Sequence, residues 1–147
     1  MEPDKVKRET LLQKLSRLRV VERVQLALKG GREERLLLVR DPCKVVQRAV
    51  LQSPQLSMQE VESFASMATL SEETLRLIAG NRKFRKSYTV LRGLMFNPKT
   101  PLEITLHLLP HMKAQDLKFL TTNKNVADTL RTASMRLQRQ RSTVRDS

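Results

Sequence analysis

Leu56-Ser57-Met58-Gln59-Glu60 recurs as Lys99-Thr100-Pro101-Leu102-Glu103, with a weaker relative at Leu18-Arg19-Val20-Val21-Glu22. A short polar break follows each copy, at Asp41-Pro42, Asn81-Arg82 and Asn123-Lys124. Arg19 and Ser57 are 38 residues apart, and Ser57 and Thr100 are 43 apart. The breaks are 40 and 42 residues apart. A recurrence of about forty residues in helix-favouring sequence predicts stacked helical repeats.

The middle copy is the clearest. Ser57 and Glu60 stand at the spacing of a capping box, each side chain answering a backbone N–H at a helix start. Val61, Phe64, Ala65 and Ala68 follow as one apolar face. Ser71 caps a second helix, with Glu72 and Glu73 where the helix dipole favours negative charge. That helix runs through Leu75, Ile78 and Ala79 to Gly80-Asn81, two residue types that tolerate a left-handed conformation. A third helix carries Phe84, Tyr88, Leu91 and Met95 in register and stops before Asn97-Pro98.

The third copy follows the same plan. Thr100 and Glu103 form its predicted capping box, Ile104, Leu108 and Leu109 its apolar face, and Pro110 its stop. Residues 116–120 and 126–138 are its second and third helices. The first copy has Val21, Val24 and Leu28, the break Gly30-Gly31, residues 36–39, and then Val45, Ala49 and Val50 before Ser53-Pro54. The expected organisation is a capping helix over 1–17, its apolar stripe formed by Leu11, Leu15 and Leu18, a repeat domain over 18–140, and a disordered tail over 141–147.

Composition agrees. The chain has 147 residues, 4 glycines and 6 prolines, suited to one helical core and poor in turn-forming residues. No apolar run approaches the ~20 residues of a membrane span. The start, Met1-Glu2-Pro3-Asp4-Lys5-Val6, lacks the apolar stretch of a signal peptide. With one cysteine, Cys43, no internal disulfide can form, and the expected location is cytoplasmic.

Three helices per copy, Asn-Pro breaks and this period resemble the HEAT and armadillo group of α-solenoids. The stretch from Phe96 to Ile104, with Leu108-Leu109 behind it, is similar to the leucine-rich-repeat-variant type. The resemblance implies an all-α, right-handed α-solenoid of three imperfect three-helix repeats with an N-terminal capping helix. It also implies a scaffold that binds macromolecules along a groove lined by third helices, with no chemistry of its own.

Charge is unevenly distributed. The net charge is +13, and residues 81–147 hold 14 Lys and Arg against four Asp and Glu. Residues 49–80 carry a balance of −3. Arg82, Lys83, Arg85, Lys86 and Arg92 of the second copy, with Arg131 and Arg136 of the third, are the candidate binding residues. Such a run on an amphipathic helix is often only a solvated face, but a face kept for solubility mixes signs. A single-sign field points to an anionic partner.

Other constellations carry less. His107 and His111 have the spacing of a metal pair, but Pro110 lies between them and the sequence holds no further His. Cys43 has no matching His and Asp arrangement, and Gly30-Gly31 lacks a phosphate-loop frame. Base excision and single-strand RNA reading both need stacking aromatics. The chain has no Trp, one Tyr and 4 Phe, so neither is expected. The reading is a non-enzymatic adaptor without cofactor or metal, binding an acidic protein surface through a basic groove. Nucleic-acid backbone is the second partner class, and an anionic membrane met by Lys5, Lys7, Arg8, Lys14 and Arg17 the third.

Overall fold

The computed structural model describes residues 11–146, and among them regular structure is entirely helical. No helix of the described residues is long and apolar enough to cross a membrane. The chain divides into two compact units, one ending at Glu60 and the other beginning at Val61.

In the first unit, residues 11–17 are helical (α1) and bury Leu15. The start of the expected capping helix, with Lys5, Lys7 and Arg8, lies outside the described residues. Three helices follow: α2 (Val20–Lys29), α3 (Arg32–Leu38) and α4 (Lys44–Gln52). Glutamates open the first two of these. Glu22 accepts the Arg19 N–H at 3.2 Å and Glu34 the Gly31 N–H at 3.1 Å, in the turn where the dipole favours a carboxylate. Helix α2 packs on α4, and α3 touches both.

Val21 and Val45, expected in the core, are 64% and 56% exposed, and Ala27 and Val46 are buried instead. On α4 the residues Val46, Ala49 and Val50 keep the one-face spacing of a helix, and Val45 lies one step, about 100°, off that face.

The first unit also buries charge. The Arg35 and Glu60 side chains are 6% and 4% exposed and meet at 2.8 Å. The pairing is two-pronged, Nε to Oε1 and Nη2 to Oε2. Arg35 Nη1 also donates to the Gly30 carbonyl at 2.7 Å, and the Ser57 N–H donates to Glu60 Oε2 at 2.7 Å. Ser57 Oγ accepts the Glu60 N–H, so the predicted capping box forms at the start of α5 (Met58–Ala65). Burial pushes the Glu60 carboxyl up; hydrogen bonds from Arg35 and Ser57 outweigh it and leave the group below its ordinary value.

The second unit holds the rest of α5 and then α6 (Glu72–Gly80), α7 (Arg82–Arg85), α8 (Tyr88–Phe96) and α9 (Leu102–Leu108). A 3-10 turn (Leu109–His111), α10 (Ala114–Thr122) and α11 (Asp128–Asp146) complete it. Its core includes Val61, Phe64, Leu75, Ile78, Leu94, Met95, Leu108, Leu117 and Leu120. Helix α10 packs on α11, and α9 touches both α8 and α11.

Five details differ from expectation. Ala68 is exposed in the turn after α5, and Leu70 is buried in its place. No described residue, glycine included, has positive φ: Asn81 is extended at φ −89°, and its side chain accepts from the Lys83 and Phe84 N–H groups to start α7. The third helix of this copy is interrupted, because Ser87 Oγ accepts the Val90 N–H and begins α8 afresh. The fourth difference is at Thr100, where no capping box forms. Helix α9 starts behind Pro101, 44 residues after the start of α5, which leaves Thr100 one residue outside the cap. The Thr100 hydroxyl is buried without a described partner, and Glu103 pairs with Arg76. Finally, the expected tail from Arg141 is the last part of α11, which runs to Asp146.

Arg141 belongs to a recurrence that the break pattern only half reveals. Ser53 Oγ donates to the Leu28 carbonyl at 3.1 Å, close to the end of α2. Asn97 Nδ2 donates to the Ala65 and Met67 carbonyls at 2.8 and 3.0 Å, at the end of α5. Arg141 donates from Nη1 to Met112 at 2.7 Å and from Nη2 to Pro110 at 2.9 Å, beyond the end of α9. These donors are spaced 44 residues apart. A helix ends with carbonyls that lack intrahelical partners, and Ser53, Asn97 and Arg141 each donate to carbonyls at or just past such an end.

Candidate anion-binding cleft

A single turn of helix, α7, positions the basic residues. Asn81 Oδ1 caps it at 2.9 Å from the Lys83 N and 3.2 Å from the Phe84 N. Phe84 is buried and anchors the turn to the core. With that side chain inward, the neighbouring cations stay at the surface: Arg82, Lys83 and Lys86 are exposed and Arg85 is half-buried. Arg82, Arg85 and Lys86 fall at the spacing of one helix face.

That face borders an open cleft of about 350 Å³, lined by Arg82, Arg85, Lys86, Leu91, His107, Leu108 and His111. Leu91 and Leu108 are buried and give it an apolar floor. His107 comes from the last turn of α9 and His111 from the 3-10 turn that contains Pro110. No Asp or Glu lines the cleft. Among the described ion pairs none involves Arg82, Lys83, Arg85 or Lys86. Two guanidinium groups, an ammonium and two imidazoles therefore surround a volume within reach of a small anionic group.

The remaining predicted site residues are placed differently. Lys83 is exposed outside the cleft, and Arg136 is exposed on α11. Arg92 is held: its Nε lies 3.0 Å from Asp116 Oδ1, and its guanidinium stacks 5.0 Å from the Phe96 ring centroid. Arg131 is also held, donating at 3.0 Å to the Asn123 and Val126 carbonyls and pairing with Asp128. It closes the entry to its own helix.

The Asp116 contact is part of a network with Tyr88, which the periodicity assigns simply to the core. The Tyr88 hydroxyl donates to Asp116 Oδ2 at 2.5 Å and accepts the Lys113 N–H at 3.0 Å. Lys113 Nζ sits 4.5 Å from the Tyr88 ring centroid. Burial, then the hydrogen bond to the Asp116 carboxylate, raise the Tyr88 hydroxyl above its ordinary value. Nothing in the spacing of single residues signals these partners, which lie 24 to 28 positions apart.

The histidines are what the charge pattern overlooks. Their four-residue spacing across Pro110 was visible as a metal pair and takes on another meaning only beside α7. Among the described residues no group of three His, Cys, Asp or Glu stands close enough to hold a metal ion. Cys43 is half-buried at the start of α4, in the other unit. No protein-family model matches this chain, and no curated protein and no solved structure matches it.

Proposed function

We propose that this chain is a non-enzymatic, cytoplasmic adaptor of the HEAT or armadillo-like α-solenoid kind, which binds an acidic protein segment through the cations of α7. The observation that carries the reading is the cleft itself. Arg82, Arg85 and Lys86 converge on it while no carboxylate lines it. Elsewhere in the described structure Arg35, Arg92 and Arg131 each hold an acidic side chain. Cations left together without a counter-charge repel one another, and an acidic ligand relieves that repulsion. The repeat reading draws support from the donors at Ser53, Asn97 and Arg141, at equal intervals on successive copies.

Binding to nucleic-acid backbone is the second reading, favoured by the excess of 14 cations over four acids in residues 81–147. Fluorescence polarisation separates the two. A labelled peptide of alternating Asp and Glu is expected to bind, and Arg82→Glu/Arg85→Glu to weaken it. Random duplex RNA is expected to bind weakly under the same conditions. No peptide binding, together with RNA binding that falls steeply in log salt, replaces the adaptor reading with the nucleic-acid one.

A further inference from the structure

We infer that the cleft beside α7 is a subsite for a phosphomonoester, the side-chain phosphate of a phosphorylated residue within an acidic segment. The inference rests on the proposed reading of this face as the docking site of an acidic protein.

The groups present match that ligand better than a plain carboxylate. A phosphomonoester carries about −1.5 to −2 charge at pH 7 and three acceptor oxygens. Arg82 and Arg85 offer two guanidinium forks, Lys86 adds a point charge, and His107 and His111 add ring N–H donors. A single carboxylate would leave much of that donor set without a partner. The volume of about 350 Å³ is at the small end of ligand sites, about 300–1,000 Å³. Leu91 and Leu108 at its floor suit the methylene or methyl that carries the phosphate.

The same geometry disfavours a polynucleotide backbone as the occupant. Phosphodiesters present one charge each along an extended line, and binding them calls for a stripe of free cations. Arg92 and Arg131, on the helices that would extend such a stripe, are engaged by Asp116 and Asp128. In the cleft itself, Arg82, Arg85 and Lys86 gather around one volume rather than along a line.

The probes are three labelled peptides read by fluorescence polarisation. One is Asp-Glu-phosphoserine-Glu-Asp flanked by glycines, one is its unphosphorylated form, and one replaces phosphoserine by Glu-Glu to match the net charge. Duplex RNA is the fourth probe. The phosphopeptide is expected to bind about tenfold tighter than the charge-matched peptide, the gain coming from forked hydrogen bonds. Arg85→Lys keeps the charge and loses the fork, so it is expected to reduce that ratio to about twofold. Arg82→Gln, at an exposed position, repeats the test if Arg85→Lys perturbs the fold. Lys118→Gln on the exposed side of α10 leaves every affinity unchanged.

Equal binding of the phosphopeptide and the charge-matched peptide overturns the phosphate subsite and leaves the adaptor reading standing. A ratio that survives both substitutions overturns this cleft as the place where phosphate is read. Failure of all three peptides with retention of duplex RNA overturns the adaptor reading and the subsite together. Phenyl phosphate at millimolar concentration is expected to displace the phosphopeptide, and failure to displace it overturns recognition of the phosphoryl group in this cleft.

Discussion

Two arginine sites, one in each unit, are built in opposite ways. In the unit ending at Glu60, Arg35 lies wholly inside and meets a carboxylate on both prongs. In the unit beginning at Val61, Arg82 and Arg85 stand at the surface with Lys86 and meet none. Both arrangements start from arginines on short helices with a buried apolar neighbour, Leu38 on α3 and Phe84 on α7. What differs is whether folding brings an acid to them, and Glu60 is 25 residues from Arg35. A paired, buried arginine is part of the fold, and an unpaired, exposed one is free for a ligand. The consequences of substitution should therefore differ by several kcal/mol.

The largest effect belongs to Arg35. Arg35→Ala leaves Glu60 buried beside no counter-charge, and the expected cost is about 3–5 kcal/mol. Arg35→Met with Glu60→Leu removes both charges and is expected to recover most of that loss, because the pair itself contributes little beyond the cost of burying it. Urea denaturation of the two variants is the measurement. Equal destabilisation in both would mean that shape rather than charge dominates the site. The pair also has a pH signature. The Glu60 carboxyl is lower in the folded state, so its contribution is present above the ordinary glutamate range, about 4.3, and is lost as pH falls through the folded value. Acid titration of the wild type should show this weakening, and the doubly apolar variant should lack it.

Asn97 and Ser53 give the next comparison. Ser53 closes α4 and Asn97 closes α8, and both are buried, but Asn97 donates to two carbonyls and Ser53 to one. Asn97→Ala is expected to cost about 1–3 kcal/mol and Ser53→Ala about 0.5–1.5 kcal/mol. A Ser53→Ala loss equal to or above that of Asn97→Ala would break the proposed equivalence of the two positions. Thermal midpoints at fixed protein concentration are sufficient to rank them.

Helix existence was legible because its signals are local. Ser57 with Glu60, Ser71 with Thr74 and the breaks before Pro54 and Pro98 each act within a few residues, and each appears in the structure. Register was less legible. Adjacent apolar residues such as Val45 and Val46 both satisfy a loose periodicity, and only packing decides between them. Thr100 and Pro101 pose the same problem one residue apart. The candidate site was legible as a charge run but not as a cleft. Its histidines arrive from α9 and the 3-10 turn, and the acids that engage Arg92 and Arg131 do not announce themselves by spacing. Arg35 was missed for a related reason: Glu60 reads as a capping residue, and it performs that task and the pairing together.

Gly80 offers a smaller effect of opposite sign. It closes α6 in a helical conformation, without positive φ, and a methyl group at its Cα would meet nothing within 4 Å. Gly80→Ala should stabilise the second unit by about 0.4–1 kcal/mol, chiefly by restricting the unfolded chain. Gly93 is the contrast, because a Cβ there would lie 2.9 Å from Ser66 Oγ and 3.1 Å from Ala65 Cβ. A gain at Gly93 matching that at Gly80 would show that α5 and α8 are packed more loosely than these distances require.

The smallest effect on stability is expected at α7. Arg82→Glu/Lys86→Glu replaces two exposed cations that hold no carboxylate, so the change should stay within about 0.5 kcal/mol. Relief of repulsion among Arg82, Arg85 and Lys86 works in favour of the variant, and the loss of their aliphatic stems against the cleft works against it. Arg92→Glu is the informative neighbour. It sets a carboxylate beside Asp116, which Tyr88 also contacts, and should cost about 1 kcal/mol even though the Arg92 side chain is 53% exposed. If Arg82→Glu/Lys86→Glu instead destabilises the fold as much as Arg92→Glu, the α7 cations are structural like those of the first unit. The distinction between free and engaged charge, on which the ligand site depends, would then fail.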